Sequence, residues 1–134
     1  MLRLPEQTVG QALKRQPICV TPHTTVAAAA VRMVAQRIHR VFVVDHGALH
    51  GVFSTRDILD AIQIHRTRAP ISDSMSTPIL TVDSTATILQ ATERLVDSGV
   101  SGLVVLEDEL PVGSFTQVEA LQATAKLASP LSRT

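Results

Sequence analysis

The chain has 134 residues, 45% of them hydrophobic and 18% charged, enough apolar material for one compact core or two small halves, and no case for disorder. Twelve basic residues balance twelve acidic ones, which argues against a protein whose main work is neutralising phosphate backbones. There is no Trp or Tyr and only three Phe, so a nucleic-acid or sugar site built on aromatic stacking is set aside too.

In chain order, Thr8 to Arg15 carry a short helical pattern, with Val9, Ala12 and Leu13 on one side, and Pro17 ends it. Ile18-Cys19-Val20 is a brief extended run. Thr24 and Thr25 are N-cap candidates for a helix that places Val26, Ala29, Ala30, Met33 and Val34 on one face. The continuous run Val41-Phe42-Val43-Val44 predicts a strand covered on both faces, and Asp45-His46-Gly47 turns it back along Leu49 to Ser54. A second helix follows from Thr55, and His65 to Pro70 reads as a solvated linker.

After that linker the pattern recurs. A shift of 62 residues, without a gap, sets Leu13 on Met75, Val20 on Val82, Thr25 on Thr87 and Met33 on Leu95. It also sets Val43 on Val105, Gly51 on Gly113, Phe53 on Phe115 and Leu59 on Leu121. Only ten positions are identical, but most other core positions stay apolar, and agreement in phase over several elements marks an internal duplication. Each copy reads strand, helix, strand, strand, helix, and is too small to bury much surface alone. The expected architecture is α/β, two β-α-β-β-α repeats over residues 8–66 and 70–128, packed about a pseudo-twofold axis with a groove near each strand-to-helix corner.

The corners are Gly51-Val52-Phe53-Ser54-Thr55-Arg56-Asp57 and Gly113-Ser114-Phe115-Thr116-Gln117-Val118-Glu119. With Val43-Val44-Asp45 and the opening Val20-Thr21-Pro22-His23-Thr24-Thr25-Val26, the ordered set resembles a tandem pair of cystathionine-β-synthase (CBS) domains, a Bateman module. The resemblance runs from Val9 to Lys126. It implies a regulatory binding module rather than a catalyst. Such pairs bind adenine nucleotides or related adenosyl compounds in the cleft between repeats and often form homodimers through their helices. No cofactor is required, and the implied ligands are AMP, ADP, ATP or S-adenosylmethionine. Two departures stand out: Phe42 and Val104 occupy a position where the family often has Pro, and the second corner carries Ser114 and ends in Glu119 rather than Asp.

For the first corner the resemblance implies a ligand site of Ile18, His39, Arg40, Ser54, Thr55 and Asp57. Asp57 would accept hydrogen bonds from a ribose diol, Ser54 would reach ribose or phosphate, and His39-Arg40 would meet phosphate, as a His-Arg pair does in the γ subunits of AMP-activated protein kinase. The residues also admit a plainer reading. Ser-x-x-Asp is close to a capping box, His39-Arg40 suits a solvated turn, and Ile18 is an ordinary core residue. For the second corner the corresponding set is Leu80, Ser101, Gly102, Thr116 and Glu119. There the longer Glu favours the cap, and Ser101-Gly102 brings no charge, so the two sites are expected to be unequal.

No catalytic residues are assigned. Cys19 has no base at a patterned spacing and reads as a buried, inert thiol. His46 and His50 flank a turn without a third ligand at a metal spacing, so no metal site is assigned either. The opening residues lack a signal stretch, no apolar run approaches the roughly 20 residues of a membrane span, and one cysteine makes no internal disulfide. The expectation is a cytoplasmic sensor with no membrane or nucleic-acid partner, acting on an unidentified effector protein on another chain. Apolar residues in the helices after the corners (Ile58, Ile62, Ile64, Leu121 and Leu127) point to a homodimer. The alternative is a structural dimerisation module with no small-molecule ligand.

Overall fold

The structure is a computed structural model that describes residues 6–13, 17–77 and 79–128. Its elements are α1 (Val9–Ala12), β1 (Cys19–Val20), α2 (Val26–Gln36), β2 (Arg40–Asp45), β3 (Ala48–Ser54), α3 (Thr55–Gln63), a 3-10 turn (Ile71–Asp73), β4 (Thr81–Asp83), α4 (Ile88–Ser98), β5 (Gly102–Glu107), β6 (Leu110–Thr116) and α5 (Gln117–Ala128). The expected strand-helix-strand-strand-helix order is therefore present twice. The end of the predicted first helix, at Arg15, lies outside the described residues.

The two β-branched runs became the central strands of two three-stranded sheets, β1-β2-β3 and β4-β5-β6. In each, the central strand runs parallel to its short neighbour and antiparallel to its hairpin partner. A central strand has neighbours on both edges, which is why an unbroken apolar run suits it. Registers repeat at the interval read from the sequence. Cys19 pairs with Phe42 and Thr81 with Val104, and a bulge follows Val43 as it follows Val105.

Caps repeat as well. The Thr25 side chain accepts the Ala28 N–H, and the Thr87 side chain accepts that of Gln90, each satisfying a donor the helix cannot pair internally. At the other end of these helices, Arg37 (φ 55) and Gly99 (φ 70) occupy the same left-handed C-cap. Glycine takes this conformation freely, whereas Arg37 pays about 1 kcal/mol for it through its Cβ. The Arg37 N–H still reaches the carbonyls of Met33 and Val34.

The chain forms two compact units that exchange their leading segments. One is Pro17–Ile79; the other joins residues 6–13 to residues 80–128. The first core holds Val20, Val26, Ala29, Met33, Val41, Val43, Phe53 and Ala61, closed by Ile71 from the start of the second repeat. The other core holds Ile88, Ala91, Leu95, Leu103, Val105, Phe115 and Ala123, closed by Val9 and Leu13 from the start of the first. Val9 and Ile71 are equivalent in the repeat, so each unit receives the same kind of plug from a different stretch of chain.

Two expectations need correction. The linker is not simply solvated: the carbonyls of Ala69 and Thr67 accept the first two N–H groups of α2, from Val26 (3.0 Å) and Ala27 (2.9 Å). Arg66 reaches Asp73 at 2.9 Å across the same stretch. A helix start with unpaired donors attracts whatever carbonyls lie near, and here the connecting segment supplies them. Second, Val34 is 80% exposed rather than on the buried face, and its repeat partner Val96 is exposed too. The buried stripe of α2 is only Val26, Ala29 and Met33.

Candidate ligand-binding corner

Strand pairing brings the first predicted site together at one end of the β1-β2-β3 sheet. Arg40 is opposite Ser54 in the β2–β3 register, and the Thr55 N–H donates to the His39 carbonyl at 3.0 Å. Ile18 lies at the head of β1, where its carbonyl accepts the Phe42 N–H (2.9 Å) and its half-buried side chain packs against the core. His39 is exposed and Arg40 half-buried, and no described residue holds either side chain by a hydrogen bond or ion pair. A half-buried guanidinium without a carboxylate partner is a donor fork available to an anion.

Asp57, in the first turn of α3, is only 6% exposed. Its Oδ2 accepts the Ser54 N–H at 2.8 Å and the Ser54 hydroxyl at 3.2 Å. This is the return half of a capping box, which removes one donor from the helix start and places a negative charge near the positive end of the helix dipole. The plainer reading of Ser54 and Asp57 is thus realised in the geometry. It does not consume the carboxylate, because Oδ1 is left for other donors.

One such donor escaped sequence reasoning. The Ser76 hydroxyl donates to Asp57, at 3.2 Å from Oδ1 and 3.5 Å from Oδ2. Ser76 is carried there by a single antiparallel bridge to Val52, with the Ser76 N–H on the Val52 carbonyl at 2.8 Å and the Val52 N–H on the Ser76 carbonyl at 3.4 Å. Met75 meanwhile packs its sulfur over Gly51. Nothing local in sequence signals a contact across 19 residues; the one hint is that neighbouring Met75 aligns with Leu13 in the repeat.

The second corner is built the same way, with its cap made on one carboxylate oxygen. The Thr116 N–H and hydroxyl donate to Glu119 Oε1 at 2.7 and 2.6 Å, while the Thr116 oxygen accepts the Val118 N–H at 3.1 Å. Gly102 is opposite Thr116, Ser101 is exposed, and the Leu80 carbonyl accepts the Val104 N–H at 2.9 Å. The structure therefore gathers these five residues too, but with no cation among them.

Cys19 departs from expectation: it is exposed, on a strand too short to cover it. It borders an open hollow of about 430 Å³ with Thr21, Thr24, Arg32 and Val44, which none of the predicted site residues lines. Partial desolvation pushes its thiol up from the ordinary value, against the opposing pull of the Arg32 guanidinium. A thiol so held stays protonated at neutral pH, which is poor chemistry for a nucleophile. His46 occupies a left-handed turn position (φ 50) beside Asp45. Among the described residues no three His, Cys, Asp or Glu side chains are grouped to hold a metal, and no helix is long and apolar enough to cross a membrane.

Comparison with known proteins agrees with this fold. The CBS domain matches the chain twice, over residues 9–64 and 71–126. The chain belongs to the CBS-domain family. Among solved structures, the CBS domain pair of protein MJ0100, determined with 5-methylthioadenosine and S-adenosyl-L-methionine, is 22% identical, with a TM-score of 0.79 over 90% of this chain and 98% of that one. An uncharacterised conserved protein from Pyrococcus horikoshii is 19% identical, with a TM-score of 0.78 over 90% of this chain and 93% of that one. At these identities the likeness is one of fold. Protein SDS23 of Phaeosphaeria nodorum is 25% identical over 90% of this chain, which spans only 25% of that protein's length.

Proposed function

We propose that the chain is a regulatory CBS module that binds an adenine-containing small molecule at the Ser54–Asp57 corner. One observation carries this reading: a single sheet end gathers a buried carboxylate with an acceptor to spare (Asp57), an unpaired guanidinium (Arg40), an imidazole (His39) and the Ser54 and Thr55 hydroxyls. A ribose diol needs the first and a phosphate the second. The Glu119 corner has Gly102 where the first has Arg40, and so no cation beside its acid, which makes it the weaker site. The adenosyl ligands of the MJ0100 domain pair support the choice of ligand class. Occupancy acts on an effector protein in the cytoplasm by favouring one arrangement of the module over another.

Calorimetry with AMP, ADP, ATP and S-adenosylmethionine tests this directly. At least one binds below millimolar, and Asp57→Ala weakens it by at least about tenfold, the value of a charge-assisted hydrogen bond. Arg40→Ala weakens AMP and ATP more than adenosine. Equal losses for all three remove Arg40 from the site, and no binding by any compound leaves the structural dimerisation module.

A homodimer is proposed through the helix faces. In the Pro17–Ile79 unit, α2 and α3 expose Val34, Leu59 and Ile62, and in the other unit α4 and α5 expose Val96 and Leu121. Ile58 instead packs on its own core. Apolar residues left outside at the same repeat positions are what an isologous interface uses. Sedimentation equilibrium should return twice the 14.4 kDa chain mass, and Leu59→Asp should return one. A monomeric wild type rules the dimer out.

A further inference from the structure

The geometry points to Ser76 as the residue that sets how strongly the corner prefers a ribose diol over a sugar with one hydroxyl; this rests on the adenosyl reading above. A carboxylate offers about four acceptor positions, two on each oxygen. Asp57 Oδ2 already holds the Ser54 N–H and the Ser54 hydroxyl, both part of the helix cap. Oδ1 holds only the Ser76 hydroxyl, at 3.2 Å. One acceptor position on Oδ1 is thus open and the other is occupied by a side chain from a distant stretch of chain.

A sugar that brings one hydroxyl takes the open position and leaves Ser76 in place. A diol brings two, and the second displaces the Ser76 hydroxyl, since displacing Ser54 breaks the cap. Displacement is local. The Ser76 backbone is pinned to Val52 by both of its bridge hydrogen bonds, so only the hydroxyl turns away, by rotation about χ1 between staggered positions. Ser76 is exposed, so the released hydroxyl finds water. Ser76 thereby stands in for a ligand hydroxyl and penalises the diol alone.

The test uses the 134-residue chain, AMP and 2′-deoxy-AMP, with equilibrium dialysis or calorimetry on wild type, Ser76→Ala and Ser76→Thr. Ser76→Ala should tighten AMP by about three- to tenfold, the worth of one modest hydrogen bond. It should leave 2′-deoxy-AMP unchanged or weaker, so that the ratio of the two affinities rises. Ser76→Thr keeps a hydroxyl and should keep the wild-type ratio. Binding with the same ratio in wild type and Ser76→Ala overturns the role of Ser76 but leaves the adenosyl reading standing. If neither nucleotide binds any of the three proteins, the adenosyl reading falls and this role falls with it.

Discussion

Replacing Phe53 by Ala is expected to lower the stability of the chain by about 3–5 kcal/mol, the cost of deleting a large aromatic side chain from a packed core. Phe53 is fully buried, on β3 between the helices and the strand-to-helix corner, among Val20, Val26, Ala29, Val41 and Val43. Those neighbours are held by sheet and helix backbone and cannot close over the space a phenyl ring leaves. Since a domain of this kind has about 5–15 kcal/mol in total, the variant sits near the edge of folding. The urea midpoint should fall with little change in slope. Phe115→Ala should behave alike, as Phe115 occupies the equivalent place among Ile88, Leu103 and Val105. Phe42→Val should cost much less, because the repeat already uses Val104 there. A loss of under about 1 kcal/mol in Phe53→Ala means the core is not packed as described.

Much of this was legible in the sequence because a gapless repeat transmits register. Once Phe53 fell on Phe115 and Val43 on Val105, strand pairing, bulge position and caps had to recur, and they do. The exchange of leading segments was not legible, and for a physical reason. Val9 and Ile71 are equivalent apolar plugs, so swapping them between units leaves every periodicity unchanged. Self-similarity says which residues play the same part, not which copies touch. Val34 failed differently: an apolar residue next to Met33 lies only about a quarter-turn from the buried stripe, and spacing alone does not say where that stripe stops. Cys19 was misplaced because a two-residue strand at the sheet edge leaves its side chain uncovered. At the corners the sequence posed two readings, cap or ligand. The structure shows caps at both, and distinguishes them by charge: Arg40 stands opposite Ser54 in the first corner, where the second has Gly102 opposite Thr116.

The glycine that opens the first corner gives the sharpest structural prediction. Gly51→Val is expected to cost about 3 kcal/mol, although valine is the better strand former and glycine is entropically costly there. A Cβ at residue 51 would stand 2.8 Å from the Met75 sulfur, 3.1 Å from its Cγ and 3.1 Å from the Ser76 carbonyl oxygen. The thioether can swing aside at small cost. The carbonyl cannot, since it accepts the Val52 N–H, and moving it lengthens that bridge and withdraws the Ser76 hydroxyl from Asp57. The two obstacles separate experimentally. Adding Met75→Ala to Gly51→Ala should recover only the part due to sulfur, leaving a residual coupling that belongs to the backbone. Full recovery in the double variant would show that Met75 alone needs the glycine. No loss in Gly51→Val would mean that the Met75–Ser76 segment does not lie against β3, which would also remove the contact by which Ser76 holds down the diol preference of Asp57.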